Sequence, residues 1–134
     1  MTDRETLFAY RYSQAEATLE DARIMQSRQG SPRSVVNRSY YAVFYATLAL
    51  FLKSNIAINS SKHAGVIGTF DREFIITGKI DKRFSRIFHS LFDDRQEFDY
   101  KELSEVTIED SEAAISQADE FIAMVKSMLS AGTC

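Results

Sequence analysis

Residues 34–52, SVVNRSYYAVFYATLALFL, constrain the fold of this 134-residue chain more than any other stretch. From Tyr40 onward the surface is almost unbroken apolar, with Val43, Phe44, Leu48, Leu50, Phe51 and Leu52 spread around the helical wheel. A helix apolar all round has to be covered on most sides, as the centre of a bundle or as half of a subunit contact. The apolar run is shorter than the roughly 20 residues of a membrane span, and Arg38 and Lys53 bracket it. Arg38 is the one charge at its head. Tyr41 and Tyr45 follow three and seven residues on, which places all three side chains on one helical face.

The flanking sequence supplies the cover. Phe8, Tyr12, Ala15, Leu19 and Ala22 recur at intervals of four and three, so residues 3–28 read as an amphipathic helix. Gly30-Ser31-Pro32 ends it, with Ser31 as N-cap and Pro32 at the first position of the central helix, residues 32–54. A polar and isoleucine-containing loop over 55–61 leads to a third helix beginning near Lys62. That helix carries His63, Ile67, Phe70 and Phe74 on one stripe and stops at Gly78. The run Phe74-Ile75-Ile76-Thr77 has strand propensity but sits inside this helical pattern, so no strand is expected.

Asp81 can cap a fourth helix with the stripe Phe84, Ile87/Phe88, Leu91/Phe92 and Arg95. A loop is expected at Asp99 and Tyr100. Thr107 and Asp110 then have the spacing of a capping box before a last helix bearing Ala114, Ala118, Phe121/Ile122, Val125 and Leu129. The expectation is all-α: a single domain over 1–134, folded as an up-and-down antiparallel bundle of about five helices.

Composition narrows the function classes. Cys134 is the only cysteine and there are two histidines, so neither an internal disulfide nor a zinc site is expected. No leader-like or long apolar segment stands out, which gives the expectation of a cytoplasmic protein without a membrane anchor. The net charge of −3 conceals an asymmetry. Residues 22–92 carry eleven Lys/Arg against three Asp/Glu, and residues 93–120 carry two against eleven. Oppositely charged helix faces in water account for this. A basic surface for a phosphate backbone is the alternative, with the overall acidity weighing against tight non-specific nucleic-acid binding.

No phosphate-cradling glycine loop, nucleophile elbow, metal-ligand cluster or dinucleotide fingerprint is present, and no cofactor is implied. What remains is a few polar residues on apolar faces. Arg38 can pair with a carboxylate of the fourth helix, or grip a phosphate in bidentate fashion. His63 shares a stripe with Ile67 and reads first as a hydrogen-bonded core histidine. His89, between Arg86 and Asp93, reads as surface. Arg95 has Asp99 four residues on, an ion-pair spacing, and Tyr100 can bond across the bundle.

Three segments, NRSYYAVFYATLALF, SKHAGVIGTFDREFIITGKI and DDRQEFDY, in this order and spacing, resemble the HEPN domain. More narrowly they resemble stand-alone HEPN proteins whose central helix reads Arg, two aromatics, Ala, an apolar pair, then His. The resemblance covers nearly the whole chain. It implies an all-α bundle of four to five helices, usually dimeric, and in many members a minimal nucleotidyltransferase as partner in a toxin–antitoxin-like pair. Active members are metal-independent endoribonucleases. Their signature is Arg, four to six residues, then His, with the sites of two protomers meeting at the dimer contact.

Carried onto this chain, the arginine is Arg38 and the histidine position falls on Tyr45. Metal-free RNA cleavage needs a group that moves the 2′-hydroxyl or leaving-group proton, and imidazole near pKa 6.5 can do so at neutral pH. A phenol near pKa 10 donates a hydrogen bond but is a poor base. The loss is on the order of 10²–10⁴ in rate.

The leading expectation is therefore a homodimeric HEPN module, joined through its central helix, that binds a nucleotidyltransferase and is catalytically weak. The alternative is an endoribonuclease toxin using Arg38, with His63 or Tyr45 handling the proton. A purely structural helical dimer is a third. Arg38, Tyr41, Lys62, Arg95, Asp99 and Tyr100 are the candidate contacts for an RNA or nucleotide phosphate.

Overall fold

The computed structural model describes residues 3–57, 63–100 and 105–131, with side chains described as far as residue 94 in the fourth helix and 129 in the last. It is all-α: α1 (Asp3–Ser27), α2 (Pro32–Lys53), α3 (His63–Phe70), α4 (Lys82–Tyr100) and α5 (Ile108–Ala131), with no strand among the described residues. α2 is the hub and packs against α1, α4 and α5. Its buried residues run from Val35 to Phe51 and include Tyr40, Val43, Ala46 and Leu50. The buried hydroxyls on this helix, Ser39 and Thr47, donate to the carbonyls of Val35 and Val43 at 2.9 Å, which satisfies them without a tertiary partner. As a 22-residue helix, α2 is long and apolar enough to cross a membrane, contrary to the shorter apolar run read from sequence. But 67% of its apolar window is buried inside the bundle, as in the core helix of a packed protein.

Local chemistry sets the helix ends. α1 closes when Gly30 N–H donates to Met25 O at 2.7 Å and Gln29 N–H to Gln26 O at 3.1 Å, with Gln29 in the left-handed region at φ 59°. A Cβ on Gly30 would lie 2.9 Å from Met25 O, so the close approach requires glycine there. Ser31 caps α2 by accepting from Ser34 N–H, and Pro32 opens it. The far end of α2 repeats the α1 closure: Asn55 is left-handed at φ 60°, and Ile56 N–H reaches Phe51 O at 2.9 Å. Thr107 and Asp110 form the expected capping box, each side chain accepting from the other's backbone N–H at 3.0 Å.

Two expectations fail. The third helix does not run regularly to Gly78; it ends at Phe70 and continues as a π-helical turn, Asp71–Ile75, closed by Ile76 N–H on Asp71 O at 2.9 Å. Gly78 does supply a left-handed residue, φ 78°, after that turn. The loop expected at Asp99 and Tyr100 is helix, since α4 extends through Tyr100. Asp81 caps α4 as expected by accepting from Arg83 N–H at 2.8 Å.

The core is a knot of rings. Phe70, Phe88 and Phe121 meet pairwise with centroids 5.4–5.8 Å apart, and Phe51 stacks on Phe74 at 6.2 Å. The charge asymmetry is bridged at two places, Arg23–Asp119 between α1 and α5 and Arg83–Glu120 between α4 and α5. Both pairs are half-exposed, so each contributes little to stability.

Candidate functional site

α2 is not covered all round. Arg38 is exposed, and Tyr41, Phe44, Tyr45, Leu48 and Leu52 are only half-buried. Steps of three and four residues put these positions on one stripe along the uncovered side. Within it the rings of Tyr41 and Tyr45 lie 6.0 Å apart, and Tyr41 meets Phe44 edge-on at 6.3 Å. The face expected for Arg38, Tyr41 and Tyr45 is therefore formed. Among the described residues the Arg38 guanidinium is exposed and has neither an ion pair nor a hydrogen bond; of the fourth-helix carboxylates considered as its partner, the side chains of Glu97 and Asp99 lie outside the described residues.

His63, the first residue of α3, comes to the edge of this stripe. Its Nδ1 and the Tyr40 hydroxyl share a hydrogen bond of 2.6 Å. Its ring stacks on Phe44 with centroids 4.3 Å apart and meets Tyr41 edge-on at 5.7 Å. The hydrogen bond expected of a core histidine is present, but the ring is half-buried rather than enclosed in the core. The structure joins it to Tyr40 rather than to Arg38, with Tyr41 touching His63 on one side and Tyr45 on the other. Tyr40 is the residue that sequence reasoning missed. It is fully buried and touches Phe88 and Phe92 of α4 as well as His63. The available signal was a phenol inside an apolar run, whose hydroxyl needs a partner once buried.

His89 is half-exposed, as expected of a surface residue, but it is not idle. Its Nε2 lies 2.7 Å from Asp71 Oδ2, and the Ser85 hydroxyl donates to Asp71 Oδ1 at 2.7 Å. Ser85 and His89 are one turn apart on α4, so together they hold the π-helical turn against that helix. The candidate phosphate contact Lys62 lies outside the described residues, as do the side chains of Arg95, Asp99 and Tyr100. Among the described residues no cluster of three or more His, Cys, Asp or Glu side chains could hold a metal ion.

Chemically, the stripe offers an exposed guanidinium, two phenols and a neighbouring imidazole on an apolar helix. A guanidinium so placed can grip a phosphate with two parallel hydrogen bonds, and the phenols can donate a third.

An all-α bundle wrapped around an Arg-Ser-Tyr-Tyr-Ala central helix defines a narrow class. The HEPN domain model matches residues 8–128, and the chain belongs to the HEPN family. It is 33% identical over 129 residues to a "UPF0332 protein" of Thermotoga maritima, covering 96% of each chain. It is also similar to two proteins of Methanocaldococcus jannaschii, each named "Putative toxin". One is 35% identical over 86% of this chain and 83% of its own length, the other 33% identical over 70% and 63%.

Proposed function

We propose that this chain is the HEPN half of a cytoplasmic toxin–antitoxin-type pair. It is a homodimer through the uncovered stripe of α2, binds a minimal nucleotidyltransferase, and is weak or silent as a ribonuclease. One observation carries this reading: Arg38 stands on the stripe with no ion pair among the described residues, and the motif position reached after six intervening residues holds a tyrosine, Tyr45. The arginine keeps the capacity to bind a phosphate, while the phenol lacks the basicity to move a proton at neutral pH. The toxin names of the Methanocaldococcus relatives fit the same setting.

A second reading, a metal-independent endoribonuclease, has one specific support. His63 lies against Tyr41, next to the Arg38 face, and could serve as the proton-handling group in place of the missing histidine.

Cleavage of single-stranded RNA in EDTA separates the two. The proposal expects little or no cutting by the wild type and at least a tenfold rise in Tyr45→His, lost again when Arg38→Ala is added. Rapid cutting by the wild type, abolished by Arg38→Ala or His63→Ala, would replace the proposal with the second reading.

A further inference from the structure

Where the C-terminus of α1, the start of α2 and the start of α5 meet, the bundle holds a cavity of about 420 Å³ lined by Gln26, Gln29, Gly30, Pro32, Ile108 and Ser111. It shares no residue with the Arg38 stripe. Its volume lies in the range of small-molecule sites, and among the described residues no charged side chain lines it.

The polar atoms in it are set in a fixed order. Ser111 is buried and its hydroxyl donates its single proton to Ile108 O at 2.6 Å. The Ser111 oxygen can then only accept, so the Gln26 atom at 3.1 Å from it is the amide nitrogen, donating. This locks the Gln26 amide and leaves its Oε1 as an oriented acceptor with no partner among the described residues. Gln29 places a second amide at the lip, on a backbone held in the left-handed region at φ 59° where glycine is the usual residue. Ile108, 61% exposed, and Pro32 supply an apolar wall.

We infer that this cavity binds a small neutral ring carrying an N–H and a C=O on one edge, a cyclic amide or a lactam-type nucleobase. The ligand N–H donates to Gln26 Oε1, its carbonyl accepts from the Gln29 amide, and its ring covers Ile108 and Pro32. The described lining, neutral amides and apolar groups, suits such a ligand, because a carboxylate or phosphate would meet no cation among those residues.

The test is a backbone and side-chain amide NMR titration of the full chain with δ-valerolactam, with uracil, and with N-methylpiperidone, which lacks the N–H. Saturable shifts at the Gln26 and Gln29 side-chain amides and at Gly30 are expected with a Kd on the order of 1 mM for δ-valerolactam, uracil or both. Tighter binding of uracil identifies the ligand as a base, and equal or tighter binding of the lactam as a plain cyclic amide. N-methylpiperidone should bind at least tenfold more weakly. Gln26→Met, which keeps the shape and removes the acceptor, should weaken binding at least tenfold, and Ile108→Trp, which fills the mouth from an exposed position, should abolish it. No saturation by either ring up to about 20 mM, equal binding of the N-methyl compound, or undiminished binding by folded Gln26→Met would overturn the assignment.

Discussion

The Tyr40 hydroxyl and the Nδ1 of His63 lie 2.6 Å apart, so the centre of α2 is bonded to the first residue of α3. Tyr40 is fully buried, which removes water as an alternative partner for its phenol. The bond ties α3 to the centre of α2, and it sets the His63 ring between Phe44 and Tyr41 at the border of the uncovered stripe.

A double-mutant cycle measures that bond. Tyr40→Phe should cost about 1 kcal/mol and lower Tm by about 4 °C, since it removes one buried hydrogen bond and little volume. The loss in the double variant with His63→Leu should fall short of the sum of the two single losses by about 1 kcal/mol. Additivity within about 0.3 kcal/mol would mean the contact contributes nothing.

Phe121 is fully buried and its ring meets Phe70, Phe84 and Phe88 at 5.4, 6.1 and 5.6 Å. Phe121→Ala opens a cavity where α3, α4 and α5 converge and should cost about 3–5 kcal/mol. Urea unfolding checks it: the midpoint should drop steeply with the slope unchanged. A loss below about 1 kcal/mol would show that the ring knot is not the core.

Tyr12 carries a buried hydroxyl that has no hydrogen-bond partner among the described residues. Burial, with Glu16 adding to it, pushes its pKa from 10.0 up to about 12. Tyr12→Phe removes the orphaned group and should stabilise the protein by about 1 kcal/mol near neutral pH. The sign of the pH dependence follows from the raised value. Between pH 10 and 12 the unfolded tyrosine releases its proton while the folded one keeps it, so the wild type loses stability as pH rises through that window. Urea midpoints at pH 8, 10 and 11.5 should show a steeper decline for the wild type than for Tyr12→Phe. Parallel curves would place the Tyr12 hydroxyl in water.

The parts of this fold legible in the sequence are those decided within one helix. Ser31, Asp81 and the Thr107/Asp110 pair announce helix starts because capping is chemistry between residues two or three apart. The hub role of α2 follows from its apolar circumference, and the Arg38–Tyr41–Tyr45 face from spacing alone. The π-helical turn was hidden because Asp71 is held by Ser85 and His89, residues 14 and 18 positions away. The same holds for Tyr40: nothing in its neighbourhood says that residue 63 returns to it. Gln29 was illegible for another reason, since a left-handed glutamine followed by glycine looks like an ordinary helix end.

The central claim is that the uncovered stripe of α2 is where two copies of this chain meet, with Arg38 at the contact. Sedimentation equilibrium at micromolar concentration tests it on the wild type and on Tyr45→Glu, which places a charge on the stripe at a half-buried position. The account predicts a wild-type mass near twice the 15.2 kDa of one chain, and a folded monomer for Tyr45→Glu with unchanged helical circular dichroism. A wild-type monomer at tens of micromolar, or a dimer indifferent to the new charge, would contradict it.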